Sequence, residues 1–175
     1  MTILFTQWSA PEKILPILKW PDPILNQVSS DVTAFDESLL QLANNLFATM
    51  KDANGIGLAA PQTGNMVNVI VIRIEEDKPL VLVNPKVIEW SSEVFKFNEG
   101  CLSVPGFFEE RERPAKIAVQ CQDVLGGEHE LELTSIYAFA IQHEIDHLLG
   151  KVFVDGSSML KRSIIKSKMR KAKSK

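Results

Sequence analysis

The strongest chemical signal in the chain is the run His143-Glu144-Ile145-Asp146-His147. On an α-helix each residue advances about 100°, so positions four apart lie one turn along and about 40° round. Two imidazoles in that relation can meet one metal ion, with Glu144 beside them to handle a proton of an attacking water. The chain has only three histidines in its 175 residues, and two of them fall here. The alternative is two helix-surface histidines in a chance pattern, which leaves that concentration unexplained.

Two imidazoles need a further protein ligand. A catalytic site of this kind takes three and keeps one position open. One protease pattern continues to a glycine and then a histidine. Gly150 is in place, but Phe153 stands where the histidine should be. Other proteases of this type use a downstream carboxylate, and after His147 the chain has only Asp155. A zinc protease is therefore the weaker enzyme reading, and the third ligand is expected upstream. Cys101 is the candidate, because a thiolate with two imidazoles leaves a tetrahedral position for water. A buried apolar cysteine is its alternative. Cys121 alternates with apolar residues and is read as structural, and His129, next to a turn, as a surface residue.

These residues need elements to hold them. Leu39, Leu42, Leu46 and Met50 recur at helical spacing, which predicts a helix over Asp36–Met50 with Asp36 as N-cap and Gly55 as the stop. Stretches rich in Val, Ile and Phe predict strands at Val67–Ile74, Leu80–Asn84, Lys86–Trp90 and Glu93–Asn98. Lys116–Asp123 and His129–Leu133 form a hairpin around Leu125-Gly126-Gly127. A second helix is expected from Thr134 to Gly150, with Ile136, Phe139, Ala140, His143 and His147 along one face. A third begins near Met159 and runs into a basic tail. Strands in the middle with helices on either side give an α+β class. The expected architecture packs mixed or antiparallel strands around a central helix carrying HEIDH, in one domain over 1–175 with a leader at 1–12 and a basic helix at 159–175.

Composition narrows the setting. A hydrophobic content of 45% with 23% charged residues is ordinary for a globular domain. No apolar run approaches the roughly 18 residues that span a membrane, and no basic residue precedes Lys13, so neither a membrane segment nor a secretory signal is expected. With two cysteines only, a reducing cytoplasm is the expected compartment. The net charge of −3 hides an asymmetry, because residues 161 to 175 hold eight of the 19 basic groups and no acidic one. Such a tail is either a solvated helix end or a contact for an anionic partner.

Three segments resemble one family in order and spacing. Gly55-Ile56-Gly57-Leu58-Ala59-Ala60-Pro61-Gln62, Glu99-Gly100-Cys101-Leu102-Ser103 and Gln142–His147 are similar to the three motifs of peptide deformylases. The likeness runs from about residue 14 to 170. It implies a hydrolase that removes the formyl group from the N-terminal formylmethionine of nascent polypeptides, releasing formate. It implies Cys101, His143 and His147 as ligands of one Fe2+, replaceable by Zn2+, Ni2+ or Co2+. Glu144 is implied as the proton-transfer group, with the Gln62 side chain and the Leu102 backbone N–H stabilising the oxyanion. The family would place the methionine pocket at Ile56, Phe97, Glu99, Ile136, Phe139 and Ala140. The peptide would pair, extended, with Ile56-Gly57 and Gly100. The basic tail would dock on the ribosome, and the chain would be a monomer with no membrane contact. At position 108, where some members carry an arginine, this chain has Phe108.

Two further readings stand beside this one. Gly55-x-Gly57-x-x-Ala60 fits a dinucleotide fingerprint, but it follows a helix rather than a strand. A catalytically weak paralogue that only binds ribosomes or peptides would be expected to lose its base or a ligand, and Glu144, Gln62 and Cys101 are all present.

Overall fold

The computed structural model describes residues 13–75 and 79–173. The 12-residue leader and the last two residues of the basic tail lie outside the described residues, as do the side chains of residues 172 and 173.

Helix α1 spans Glu37–Asp52, and the Asp36 carboxylate caps it by accepting from the backbone N–H groups of Ser38 and Leu39 at 2.9 and 3.3 Å. The stop differs from the expected one. Asn54, not Gly55, takes the left-handed conformation at φ 54°, a role asparagine fills by tolerating that region. Gly55 then donates to the Met50 carbonyl at 2.9 Å. A side chain at Gly55 would also meet Leu102, with a Cβ 2.8 Å from its Cδ1.

Five strands form one antiparallel sheet: β1 Gly57–Ala59, β2 Val69–Ile72, β3 Leu80–Trp90, β6 Lys116–Gln122 and β7 Glu128–Thr134, in spatial order β1-β2-β3-β6-β7. Two others, β4 Val94–Gly100 and β5 Phe108–Pro114, pair separately over seven residues. Strand β2, Val-Ile-Val-Ile, is buried on both faces. Val69 and Val71 pack toward α1 with Leu39, Leu46 and Met50, while Ile70 and Ile72 pack with Ala138 and Ile141 of the opposite helix. That helix, α2, spans Ser135–Leu148 and carries the HEIDH run. Helix α3, Met159–Lys173, closes a third cluster by burying Ile165 and Met169 against Trp20, Leu25 and Phe153.

Three strand expectations are corrected. The two strands expected at Leu80–Asn84 and Lys86–Trp90 are one, interrupted by a register shift between Val83 and Lys86. There Asn84 sits at φ 51°, and its amide binds the Val32 backbone and Gln122 Oε1. Strand β5 was not anticipated, because Phe-Glu-Glu-Arg-Glu-Arg-Pro shows no apolar alternation; pairing to β4 makes it a strand. Strand β1 is short enough to look like a loop in sequence.

Candidate active site

Helix α2 is buried around its second half, where His143, Glu144 and His147 all face inward. Cys101 arrives from the other side, in the turn that follows β4. One ligand atom from each of Cys101, His143 and His147 lies within 4.8 Å of the others. The Cys101 Sγ is 3.2 Å from His147 Nε2, and the two imidazole rings stand nearly perpendicular with centroids 4.9 Å apart. Glu144 is buried beside them, and its Oε2 has no hydrogen-bond partner.

The charges of these groups are tightly linked. Burial alone would raise the Cys101 thiol, but the His147 charge and hydrogen bonds with both imidazoles hold it well below its ordinary value. Burial would lower His143, and its bonds to Cys101 and Glu99 instead hold it well above. Burial pushes Glu144 up to about 7, against the pull of His143 and His147. A thiolate and two imidazoles, with an unpartnered carboxylate oxygen alongside, fit a divalent metal of the zinc or iron type that carries a water.

Behind the candidate ligands stand Glu99, which the family resemblance places in the methionine pocket, and two residues the sequence did not single out, Arg113 and Asp146. The Glu99 carboxylate accepts a short hydrogen bond from His143 Nδ1 and two from Arg113, from Nε at 3.1 Å and Nη2 at 2.9 Å. Arg113 also reaches Asp146 at 2.8 Å. Asp146 lies inside the HEIDH run and could have been suspected from its place on the next turn-face. Arg113 lies in a charged run, where spacing gave no signal.

Gln62 is buried in a 3-10 turn over Ala60–Thr63. Its Oε1 accepts from Ala59 N–H at 2.8 Å, and its Nε2 donates to Ser103 Oγ at 3.1 Å while lying 3.5 Å from Cys101 Sγ. The amide hydrogens therefore point at the ligand cluster. The N-terminal segment pins both sides of this arrangement. Leu18 N–H bonds the Gln62 carbonyl at 2.7 Å, Lys19 Nζ the Leu102 carbonyl at 2.7 Å, and Trp20 N–H the Ser103 carbonyl at 2.9 Å. Lys19 and Ser103 are further supporting residues: Ser103 lies in the second motif without an expected role, and Lys19 falls in no motif.

A cavity of about 460 Å³ opens beside the cluster. Its walls include Ile56, Gly57, Gln62, Phe97, Glu99, Gly100, Cys101, Leu102, Ile136, Phe139, Ala140, His143 and Glu144, while His147 lies behind. Phe97 and Phe139 stack at 4.7 Å. Glu99 is part of the wall, and its carboxylate turns to His143 and Arg113. Gly57 faces Glu144 closely enough that a Cβ there would stand 2.5 Å from Oε1. His129, expected at the surface, is half-buried and bonds Asp123 at 2.8 Å, outside the Cys101–His143–His147 group. Cys121 is buried in the core, and desolvation raises its thiol to about 11.

Comparison with known proteins gives a consistent result. The polypeptide deformylase family model matches residues 14–163. A peptide deformylase of Cellvibrio japonicus (strain Ueda107) is 49% identical over 160 residues, covering 90% of this chain and 95% of that protein. The crystal structure of a Legionella pneumophila peptide deformylase matches with a TM-score of 0.87 at 42% identity, covering 92% of this chain and 96% of that one. An Ehrlichia chaffeensis peptide deformylase in complex with actinonin matches with a TM-score of 0.88 at 38% identity, covering 91% and 97%.

Proposed function

The chain belongs to the polypeptide deformylase family, and from that premise we propose how its own residues remove the formyl group from N-terminal formylmethionine of nascent polypeptides. The observation that carries this reading is the convergence of Cys101, His143 and His147 at one end of a peptide-sized cavity, with the free Oε2 of Glu144 beside them.

Cys101, His143 and His147 would hold the metal. We assign Fe2+ as the native ion on family membership, with Zn2+, Ni2+ or Co2+ able to replace it, because these ligands suit all four. When bound, the metal supplies Lewis acidity toward a water and the formyl oxygen. Glu144 takes a proton from the attacking water and returns it to the departing methionine nitrogen. Burial favours its protonated form, which suits a group that must hold the proton between the water and the leaving nitrogen. Gln62 Nε2 and the Leu102 N–H donate to the oxygen that gains charge, and the contacts from Leu18 and Lys19 fix their backbones.

Phe97, Ile136, Phe139 and Ala140, with Ile56 at the mouth, form the apolar receptacle for methionine. The peptide lies extended between Ile56-Gly57 and Asn98–Gly100, held by backbone bonds. No helix is long and apolar enough to cross a membrane among the described residues. We assign the enzyme to the cytoplasm as a monomer. The exposed cations of α3, Arg162 and Lys166 among them, are assigned to ribosomal RNA. Reversing both charges tests this, because cutting the helix would also remove Ile165 and Met169 from the core. Co-sedimentation with ribosomes at low salt should fall, and unchanged binding would overturn the docking assignment.

The activity is tested by formate release from formyl-Met-Ala-Ser, using protein purified without oxygen beside a Glu144→Ala variant that still binds metal. Rapid release, lost in the variant, is the expected result. No release from metal-loaded wild type would overturn the reading.

A further inference from the structure

Two large apolar side chains stand in water at the mouth of the cleft, Phe108 at 61% exposure and Ile56 at 48%. Exposed apolar groups lining a binding cleft mark a contact surface. Their orientation follows from strand alternation. Side chains of successive strand residues point to opposite faces, and directly paired residues share a face. On β4, Phe97 stacks on Phe139 and Glu99 bonds His143, so this face looks toward α2. Asn98 and Gly100 therefore look the other way. Phe108 pairs with Gly100 and shares that outer face. Its ring lies over the glycine, where a Cβ would stand 2.6 Å from Cε1. Across the cleft, Ile56 lies in the bend just before β1 and stands half-exposed at the mouth.

An extended peptide in this cleft obeys the same alternation. With the methionine side chain on the α2 face, against the Phe97–Phe139 pair, the next residue projects onto the outer face, toward Ile56 and Phe108. The charge pattern is selective as well. The charged residues lining the cleft are Glu99, His143 and Glu144, all at its buried end. Further along the outer face, Lys96 is already engaged by Glu110 at 3.3 Å and Glu112 at 3.4 Å. On this outer face Glu110 and Glu112 outnumber Lys96, so the mouth is apolar and its charged flank is acidic.

We propose that Phe108 and Ile56 clamp the side chain of the second substrate residue, making the enzyme selective for formylmethionine followed by a bulky apolar or aromatic residue. The inference rests on the deformylase reading and specifies its substrate class. Contact with one aromatic face at a half-open site corresponds to a preference of about five- to tenfold.

The test measures kcat/KM for formate release from formyl-Met-X-Ser peptides with X as Phe, Leu, Ala, Asp and Lys. Wild type should favour Phe and Leu over Asp by that factor, mainly through KM, with Lys falling between because Glu110 and Glu112 flank the same face. Phe108→Ala should remove the preference. Phe108→Glu should turn it toward Lys, a reversal that general damage to the fold cannot produce. Equal efficiency on all five peptides would overturn the clamp while leaving the deformylase reading intact, as would a wild-type preference that survives both substitutions. Absence of formate from every peptide would overturn both.

Discussion

The Glu99 carboxylate accepts the Nδ1 hydrogen bond of His143, which leaves Nε2 of that imidazole to face Cys101 and His147. A carboxylate behind a histidine fixes its tautomer and ring plane and raises its basicity as a ligand. Glu99 is itself held by Arg113, which is braced by Asp146 one turn of α2 away from Gln142 and His143. The first prediction follows. Glu99→Gln should weaken metal binding by about 10- to 100-fold, the usual cost of losing such a partner. Competition with a chromophoric chelator measures it, and unchanged affinity would remove Glu99 from this role.

The two buried carboxylates should respond to pH in opposite directions. Burial would raise Glu99, but hydrogen bonds and charge from His143 and Arg113 bring it down to about 2. Its contribution to stability is complete above the unfolded carboxylate value of about 4.3 and is lost as pH falls toward 2. Glu144 is raised to about 7, so the folded state prefers it protonated. Its contribution is complete below about 4.3 and is lost as pH rises through about 7. In chelator-treated protein, Glu144→Gln should therefore melt higher than wild type above pH 7, with the gap closing below about pH 4. Thermal unfolding across that range decides it; parallel curves for the two proteins would count against the assignment.

Gly57 gives a prediction that rests on space alone. A Cβ there would stand 2.5 Å from Glu144 Oε1 and 3.0 Å from Ile72 Cδ1. The nearest atom is the far end of a flexible side chain, so Gly57→Ala should displace the Glu144 carboxylate from the attacking water. Loss of a general base costs about 10²- to 10⁴-fold, and the lower end is expected because the group is displaced rather than removed. Metal content should stay at one per chain. A variant with near-wild-type kcat would mean that Glu144 has more freedom than this packing gives it.

Much of the site was legible in the sequence because its chemistry is local. His143, Glu144 and His147 share one helix, so their geometry follows from 3.6-residue periodicity alone. The α+β class followed from apolar patterning, and Asp36 was readable as a cap from its place before a helical run. What stayed hidden depends on contacts between distant segments. Arg113 meets Glu99 only because β5 pairs with β4, and β5 has no apolar alternation to announce it. Lys19 reaches Leu102 across 83 positions, a contact no spacing encodes. Asn54 is a local departure: it ends α1 one residue before the expected glycine, in a conformation asparagine merely tolerates.

The Gln62–Ser103 contact leads to the last prediction. Gln62 is anchored at its oxygen by Ala59 N–H and aimed at its nitrogen by Ser103 Oγ, with Cys101 Sγ 3.5 Å away. Gln62→Glu keeps the acceptor for Ala59 and removes the donor, so it separates aim from anchoring. Losing one such donor costs about 10²- to 10³-fold in kcat, with KM nearly unchanged, because the bond forms fully only as the oxygen gains charge. Ser103→Ala leaves the donor in place but frees the amide to rotate, and a smaller loss, about tenfold, is expected. If Ser103 acts by aiming Gln62, the double variant should be no worse than Gln62→Glu alone. Fully additive losses in kcat would show instead that Ser103 acts on the reaction by a route of its own.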